Sequence, residues 1–180
     1  NLRLNENLTL ELEKKVEDRT KKLKFANNEL VEKNKIVEQQ KELLEIRNKE
    51  IKDSIEYAKR IQTASFPSRR IIEKVSSDYF ILYKPRDIVS GDFYWFGEVE
   101  DKVIIITADC TGHGVPGAFM SMYGIAFLNE IINKEKIYYP DNILNSLREK
   151  ISGSLNRGDD EFETMDGMDM SIVTIDQKNN

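Results

Sequence analysis

Val16, Leu23, Leu30, Val37, Leu44, Ile51 and Ala58 recur every seven residues without a break. An apolar position repeating at a strict seven keeps one stripe turned toward a partner helix. It predicts a left-handed coiled coil rather than a helix lying on a globular core. With these residues as the d positions, the a layer reads Thr20, Asn27, Asn34, Lys41, Asn48 and Ile55. Each asparagine buries polar groups that need a partner across the seam, which favours a parallel, in-register homodimer at a cost in stability. At about 1.5 Å per residue such a helix would reach about 90 Å. Two roles stay open for it: a plain dimerisation stalk, or a signalling linker weak enough for its pairing to change.

The pattern alters in "IKDSIEYAKRIQTASFP". Ile51, Ile55, Ala58, Ile61 and Phe66 enrich the apolar face just before Pro67 stops the helix, so this end is expected to pack on the downstream residues as well as on its twin. Three β-prone runs come next: Tyr79–Tyr83, ending before Pro85; the aromatic-rich 92–99; and 102–107, nearly all Val and Ile. The apolar run 103–106 suggests a strand buried on both faces. Pro116 suits a first helical turn, and Ala118, Phe119, Met122, Ile125, Ala126 and Ile132 continue at helical spacing to about Asn133. A second helix is expected from about Asp141, with Ile143, Leu144, Leu147, Ile151 and Leu155 on one face, and "DGMDMSIVTID" returns to strand. The class is α+β.

Composition divides the chain at the same place. All nine glycines and all four prolines stand at or after Pro67. Residues 1–66 carry 15 Lys and Arg against 13 Asp and Glu; the remainder carries 12 against 19. Two physically different objects are therefore expected, a coiled-coil linker over 1–66 and a catalytic-type domain over 67–180. A net charge of −5 argues against a nucleic-acid partner. No apolar run of about eighteen residues marks a membrane span, and the one cysteine, Cys110, excludes an internal disulfide. A cytoplasmic setting without membrane contact is expected, and the chain reads as a piece of something longer, with a sensor segment upstream left open.

Two acids fall at strand ends beside glycines. Asp92 follows Gly91, and Asp109 opens the glycine-rich "DCTGHGVPG". Strand ends of this kind can gather carboxylates round a metal, because glycine leaves room for ion, water and backbone oxygens. Each acid alone reads more readily as a turn residue. His113 in the glycine loop, and Asp166 and Asp169 before the last strand, are further candidates, and each reads more readily as a loop or strand-edge residue. Cys110 has no evident base or second cysteine to activate it.

"RIQTASFP", "DIVSGDFYW" and "ADCTGHGVPGAFMSMYG", in this order and spacing, resemble the SpoIIE-type (RsbU-like) branch of the metal-dependent PPM protein phosphatases. "DGMDM" before a strand is a weaker match. The resemblance covers roughly residues 51–176, and the preceding helix is similar to the linkers that join sensor domains to such phosphatases. It implies a long coiled-coil helix followed by the first half of an αββα sandwich. It also implies a two-ion Mn²⁺ or Mg²⁺ site in which Asp92 and Asp109 are ligands, Asp109 bridging, with the backbone carbonyl of Cys110 beside them. The family's further ligands, in a Ser-Asp-Gly motif and a later Asp-Asp motif, have no counterpart up to Asn180, so these residues are expected to be inactive alone. The implied reaction is hydrolysis of phosphoserine or phosphothreonine on a partner protein, by resemblance a STAS-type anti-sigma-factor antagonist. The alternative is a non-catalytic dimeric signalling or scaffold module. A further expectation is that the apolar end of the linker, Ile55 to Phe66, covers the helices after the glycine loop and shifts them as a switch.

Overall fold

The computed structural model describes residues 2–76, 78–155 and 166–178, with side chains from residue 7 onward. It divides into two compact units, Asn1–Lys52 and Asp53–Asn180. Helix α1, Leu2–Ser65, runs through both without interruption. It ends where Pro67 was expected to stop it. The second unit nevertheless begins at Asp53 rather than at residue 67, because Ile55 and Ala58 are half-buried and Gln62 is fully buried there.

In the first unit the seven-residue stripe is open. Val16, Leu23, Leu30, Val37, Leu44 and Ile51 are each more than half exposed. Its polar faces carry ion pairs one turn apart, Lys15–Glu11 at 2.8 Å, Lys21–Glu17 at 2.8 Å and Lys33–Glu29 at 2.7 Å. Pairs of this kind contribute only about 0.3–0.5 kcal/mol each, so an apolar stripe this long gains far more by being covered.

The second unit is built on an antiparallel sheet of β1 (Phe93–Val99), β2 (Lys102–Cys110) and β3 (Met168–Asp176), in that order. Pairing sets Phe93 opposite Ala108 and Ala108 opposite Met170, and every second row follows on the same face. Phe93, Trp95, Ile104, Ile106, Ala108 and Cys110 therefore line one side, where they are buried. Helices α3 (Gly114–Asn129) and α4 (Pro140–Leu155) cover that side with Met120, Ile125, Leu128, Ile143, Leu147 and Ile151. Close approach of α3 depends on Gly124, where a Cβ would stand 2.7 Å from the Phe93 ring. A π-helical turn, Glu130–Lys134, extends α3 and buries Ile131 and Ile132. Together they are long and apolar enough to cross a membrane by length and composition, which the sequence pattern had not suggested, and half of that stretch is buried in the fold.

Several expectations need correction. Residues 79–83 form no strand and pair with none of the three strands, and Tyr83 instead stacks edge-on with Phe66 at 5.3 Å between ring centres. A short helix, α2 (Arg69–Val75), comes after Pro67 unannounced by any periodic run. The 103–106 run is not buried on both faces. Ile105 is 38 % exposed, and Val173 and Ile175 on the same face are exposed with it, while Val103 on that face is buried and Tyr94 is met by Phe66 and Tyr83.

Candidate metal centre

Asp92 immediately precedes β1, and Asp109 is the penultimate residue of β2. Extending the Phe93–Ala108 pairing by one row sets Asp92 across from Asp109. The next strand adds Asp169 directly opposite Asp109. Because side chains alternate along a strand, this acidic row lies on the open face while its neighbours Phe93, Ala108 and Cys110 point into the core.

The Asp92 carboxyl is held above the usual carboxylate range, first by burial, then by the charge of Asp109 and by a hydrogen bond shared with it. Like charges placed directly across a ladder destabilise it. An arrangement that keeps two carboxylates together at an open sheet end fits a hard divalent cation, which takes oxygen ligands and neutralises both. Among the described residues no three His, Cys, Asp or Glu side chains converge as a complete cage. Asp92, Asp109 and Asp169 thus stand in one acidic row at the sheet end.

The backbone between β2 and α3 is shaped around this point. Gly112 adopts φ +85°, a left-handed conformation that side chains resist. A Cβ on Gly91 would stand 3.1 Å from the carbonyl oxygens of both Cys110 and Gly112, so these carbonyls gather beside the residue that precedes Asp92. Gly117, in the first turn of α3, is closer still: its Cβ would lie 2.7 Å from the Gly112 oxygen. The carbonyl of Cys110 faces Gly91, while its sulfur lies in the core. The thiol is buried on the core face and pushed up to about 12, chiefly by burial and then by Asp109 and Asp92.

The remaining acids and the histidine take other roles. Asp166 accepts a hydrogen bond from Thr111 Oγ1 at 3.2 Å; the Thr111 N–H donates to the Gly167 carbonyl and the Gly167 N–H to Thr111 Oγ1, which pins the end of β2 to the start of β3. His113 is exposed, with Nδ1 3.2 Å from Asp87 Oδ2.

One residue of this region carried no signal strong enough to single it out. Gln62, in the last turns of α1, is 3 % exposed and bonds to Ser90 and Ser121. It occupies the a position after Ile55, in a layer already rich in polar residues, so the pattern did not set it apart. Ile61, expected on the packing face, is 44 % exposed instead. The end of α1 therefore meets α3 through a polar clasp, while Phe66, part of the apolar cover anticipated, packs against the core.

No protein-family model matches the chain, and no curated protein does. Among solved structures it matches the SiaA-PP2C domain of Pseudomonas aeruginosa, with a TM-score of 0.64 and 36 % identity. The match covers 73 % of this chain and 51 % of that one, so the chain spans about half the length of the solved domain. A long helix followed by a three-stranded antiparallel sheet is the arrangement they share with the resemblance read from the sequence. The chain is thus part of a phosphatase domain of the PP2C, or PPM, type.

Proposed function

We propose that the intact protein is a SpoIIE-type signalling phosphatase that removes phosphate from phosphoserine or phosphothreonine of a partner protein, with a STAS-type anti-sigma-factor antagonist as the substrate class. The observation that carries this reading is the pairing of Asp92 with Asp109 at the open end of β1 and β2 in a PP2C-type fold. Two Mn²⁺ or Mg²⁺ ions bound there would supply a water activated for in-line attack on phosphorus. This chain's contribution is to hold two carboxylates and the Cys110 carbonyl at a point where glycines let the backbone close in. Asp109, on the middle strand, and Asp92, on the strand beside it, would hold the ions. The further ligands would come from residues outside this chain, so residues 1–180 alone are expected to lack activity.

The exposed stripe of the first unit supports a parallel homodimer through α1, with the linker regulating the domain from a cytoplasmic position. Release of phosphate from a phosphorylated STAS-type protein by the intact enzyme is measured against Mn²⁺ concentration, with Asp92→Asn and Asp109→Asn beside it. Both variants should lose turnover while keeping their fold, since an amide cannot replace a carboxylate beside a divalent cation. Near-normal turnover of either at saturating Mn²⁺ would sink the assignment and return the chain to a scaffold role.

A further inference from the structure

Thr111 closes the β2–β3 ladder with its side chain. The pairing of the two strands ends on Cys110 opposite Met168, so Thr111 and Gly167 fall in the next row. The Thr111 N–H donates to the Gly167 carbonyl at 2.9 Å. In a regular hydrogen-bonded row the Gly167 N–H would return to the Thr111 carbonyl. It goes to Thr111 Oγ1 instead, at 3.0 Å. The same hydroxyl donates to Asp166 Oδ1 at 3.2 Å, with the Gly167 carbonyl at 3.2 Å as its other acceptor. A hydroxyl can accept one bond while donating another, which an apolar side chain of the same shape cannot do.

This clasp acts on the candidate site through the backbone. With the Gly167 N–H taken by the side chain, the Thr111 carbonyl is left out of the ladder and the chain can turn away at Gly112, φ +85°. The plane of the Cys110–Thr111 peptide is fixed at the same time. In a trans peptide, as here, the N–H and the C=O point in opposite directions. With its N–H bound to Gly167 on one side of β2, the unit sends the Cys110 carbonyl to the other. Gly91 lies there: a Cβ on it would stand 3.1 Å from the Cys110 oxygen. The "DGMDM" run thereby gains a role, for Asp166 and Gly167 take the clasp, Met168 packs on the core and Asp169 stands opposite Asp109.

We propose that Thr111 is a positioning residue for the metal centre: its hydroxyl, clasping the Asp166–Gly167 turn, holds the Cys110 carbonyl on the Asp92 side of β2, where it serves as a ligand. The inference rests on the reading of Asp92, Asp109 and that carbonyl as metal ligands. It deepens that reading by naming what orients the ligand that is backbone. Groups that orient ligands from behind are worth about 10- to 100-fold in metal affinity in other metal sites. Thr111 and Asp166 are exposed, so water competes for their bonds and the low end of that range applies.

The test uses the intact enzyme without phosphoprotein. Mn²⁺ is titrated by isothermal calorimetry, with Tm and the amide exchange of residues 108–112 and 166–170 measured beside it. Thr111→Val keeps the shape of the side chain and removes the hydroxyl. It should weaken Mn²⁺ binding by about 10-fold and speed exchange at Gly167. Thr111→Ser restores the hydroxyl and should bring the affinity back to the wild-type value. Ile143→Val, a core change in α4, lowers Tm and should leave Mn²⁺ affinity unchanged. Wild-type affinity in Thr111→Val overturns the proposal whatever happens to Tm, and so does a Thr111→Ser variant that binds as weakly as Thr111→Val. If Thr111→Val does not fold, Thr111→Ala takes its place on the same terms. Asp166→Ala leaves both bonds between Thr111 and the Gly167 backbone standing and should weaken binding by less. A larger loss there than in Thr111→Val would put Asp166 on the ion itself and overturn the assignment. Asp109→Asn, titrated in parallel, separates the two failures. Lost binding there with unchanged binding in Thr111→Val rejects the positioning role alone, and unchanged binding in Asp109→Asn rejects the metal site and this inference with it.

Discussion

Asp92 stands across the end of the β1–β2 ladder from Asp109, one row beyond the Phe93–Ala108 pair, and burial, with the charge of Asp109 beside it, lifts the Asp92 carboxyl above its ordinary range. The sign of that shift matters. A carboxyl whose folded value is raised adds stability only below its unfolded value and loses it as pH rises through the folded one. Without metal, the pair therefore opposes folding at neutral pH. Asp92→Asn should raise the Tm of metal-free protein at pH 7, an advantage that fades as pH falls below about 4, where the unfolded carboxyl is also protonated. Thermal melts of both proteins across pH 3 to 8 in the presence of a chelator provide the check. An Asp92→Asn variant that is less stable than wild type at pH 7 would mean the carboxylate is needed by the fold itself.

Adding Mn²⁺ should reverse that order. The wild-type chain gains stability by mass action in proportion to its affinity, and the variant gains none. Melts at fixed protein and rising Mn²⁺ read this directly in the intact enzyme.

The close contacts of the glycine loop make a pair of opposite expectations. Gly117→Ala places a methyl group 2.7 Å from a backbone oxygen and 3.1 Å from Gly91 Cα, neither of which can swing aside. It should cost roughly 1–3 kcal/mol by overpacking and disturb metal binding. Gly153→Ala, in α4, meets nothing within 4 Å. It should stabilise by up to about 1 kcal/mol through helix propensity alone. Denaturant unfolding of both distinguishes a loop shaped by contact from one that merely contains glycines.

Cys110 gives a further pH dependence. Its thiol rises from 9.0 to about 12 on folding, so unfolding lets it ionise and stability should fall as pH climbs from about 9 toward 12. Cys110→Ala should remove that slope. Alkylation by iodoacetamide at pH 8 should be slow in the native protein and rapid after denaturation, since the thiolate is the reactive form. Retained Mn²⁺ affinity in Cys110→Ala would agree with a carbonyl ligand; its loss would mean that the side chain matters to the site.

The exposed stripe on α1 predicts association. Light scattering of residues 1–180 should report a dimer, and Leu30→Asp should shift it toward monomer. Asn34→Leu should tighten association and can alter the number of chains, because asparagine at that layer selects the paired state at a cost in stability. A monomer at high concentration would count decisively against the seam.

What could be read without the structure was whatever repeats or whatever is local. The seven-residue apolar period from Val16 to Ala58, the stop at Pro67, the helices after the glycines and the acids at two strand ends all express short-range rules of spacing and backbone freedom. Register belonged to the fold: that Asp92 meets Asp109, and that Asp169 joins their row, depends on how strands far apart in sequence align. The same limit explains the misread 79–83 segment, whose β-prone residues had no neighbour to pair with, and Ile105, whose exposure depends on a sheet face no local pattern describes. Gln62 is the clearest case. Along α1 it is one polar residue among many, and only folding brings Ser90, 28 residues on, and Ser121, 59 residues on, to its amide. A hydrogen bond between distant segments leaves no periodic trace in the chain, because neither partner's sequence neighbourhood encodes the other.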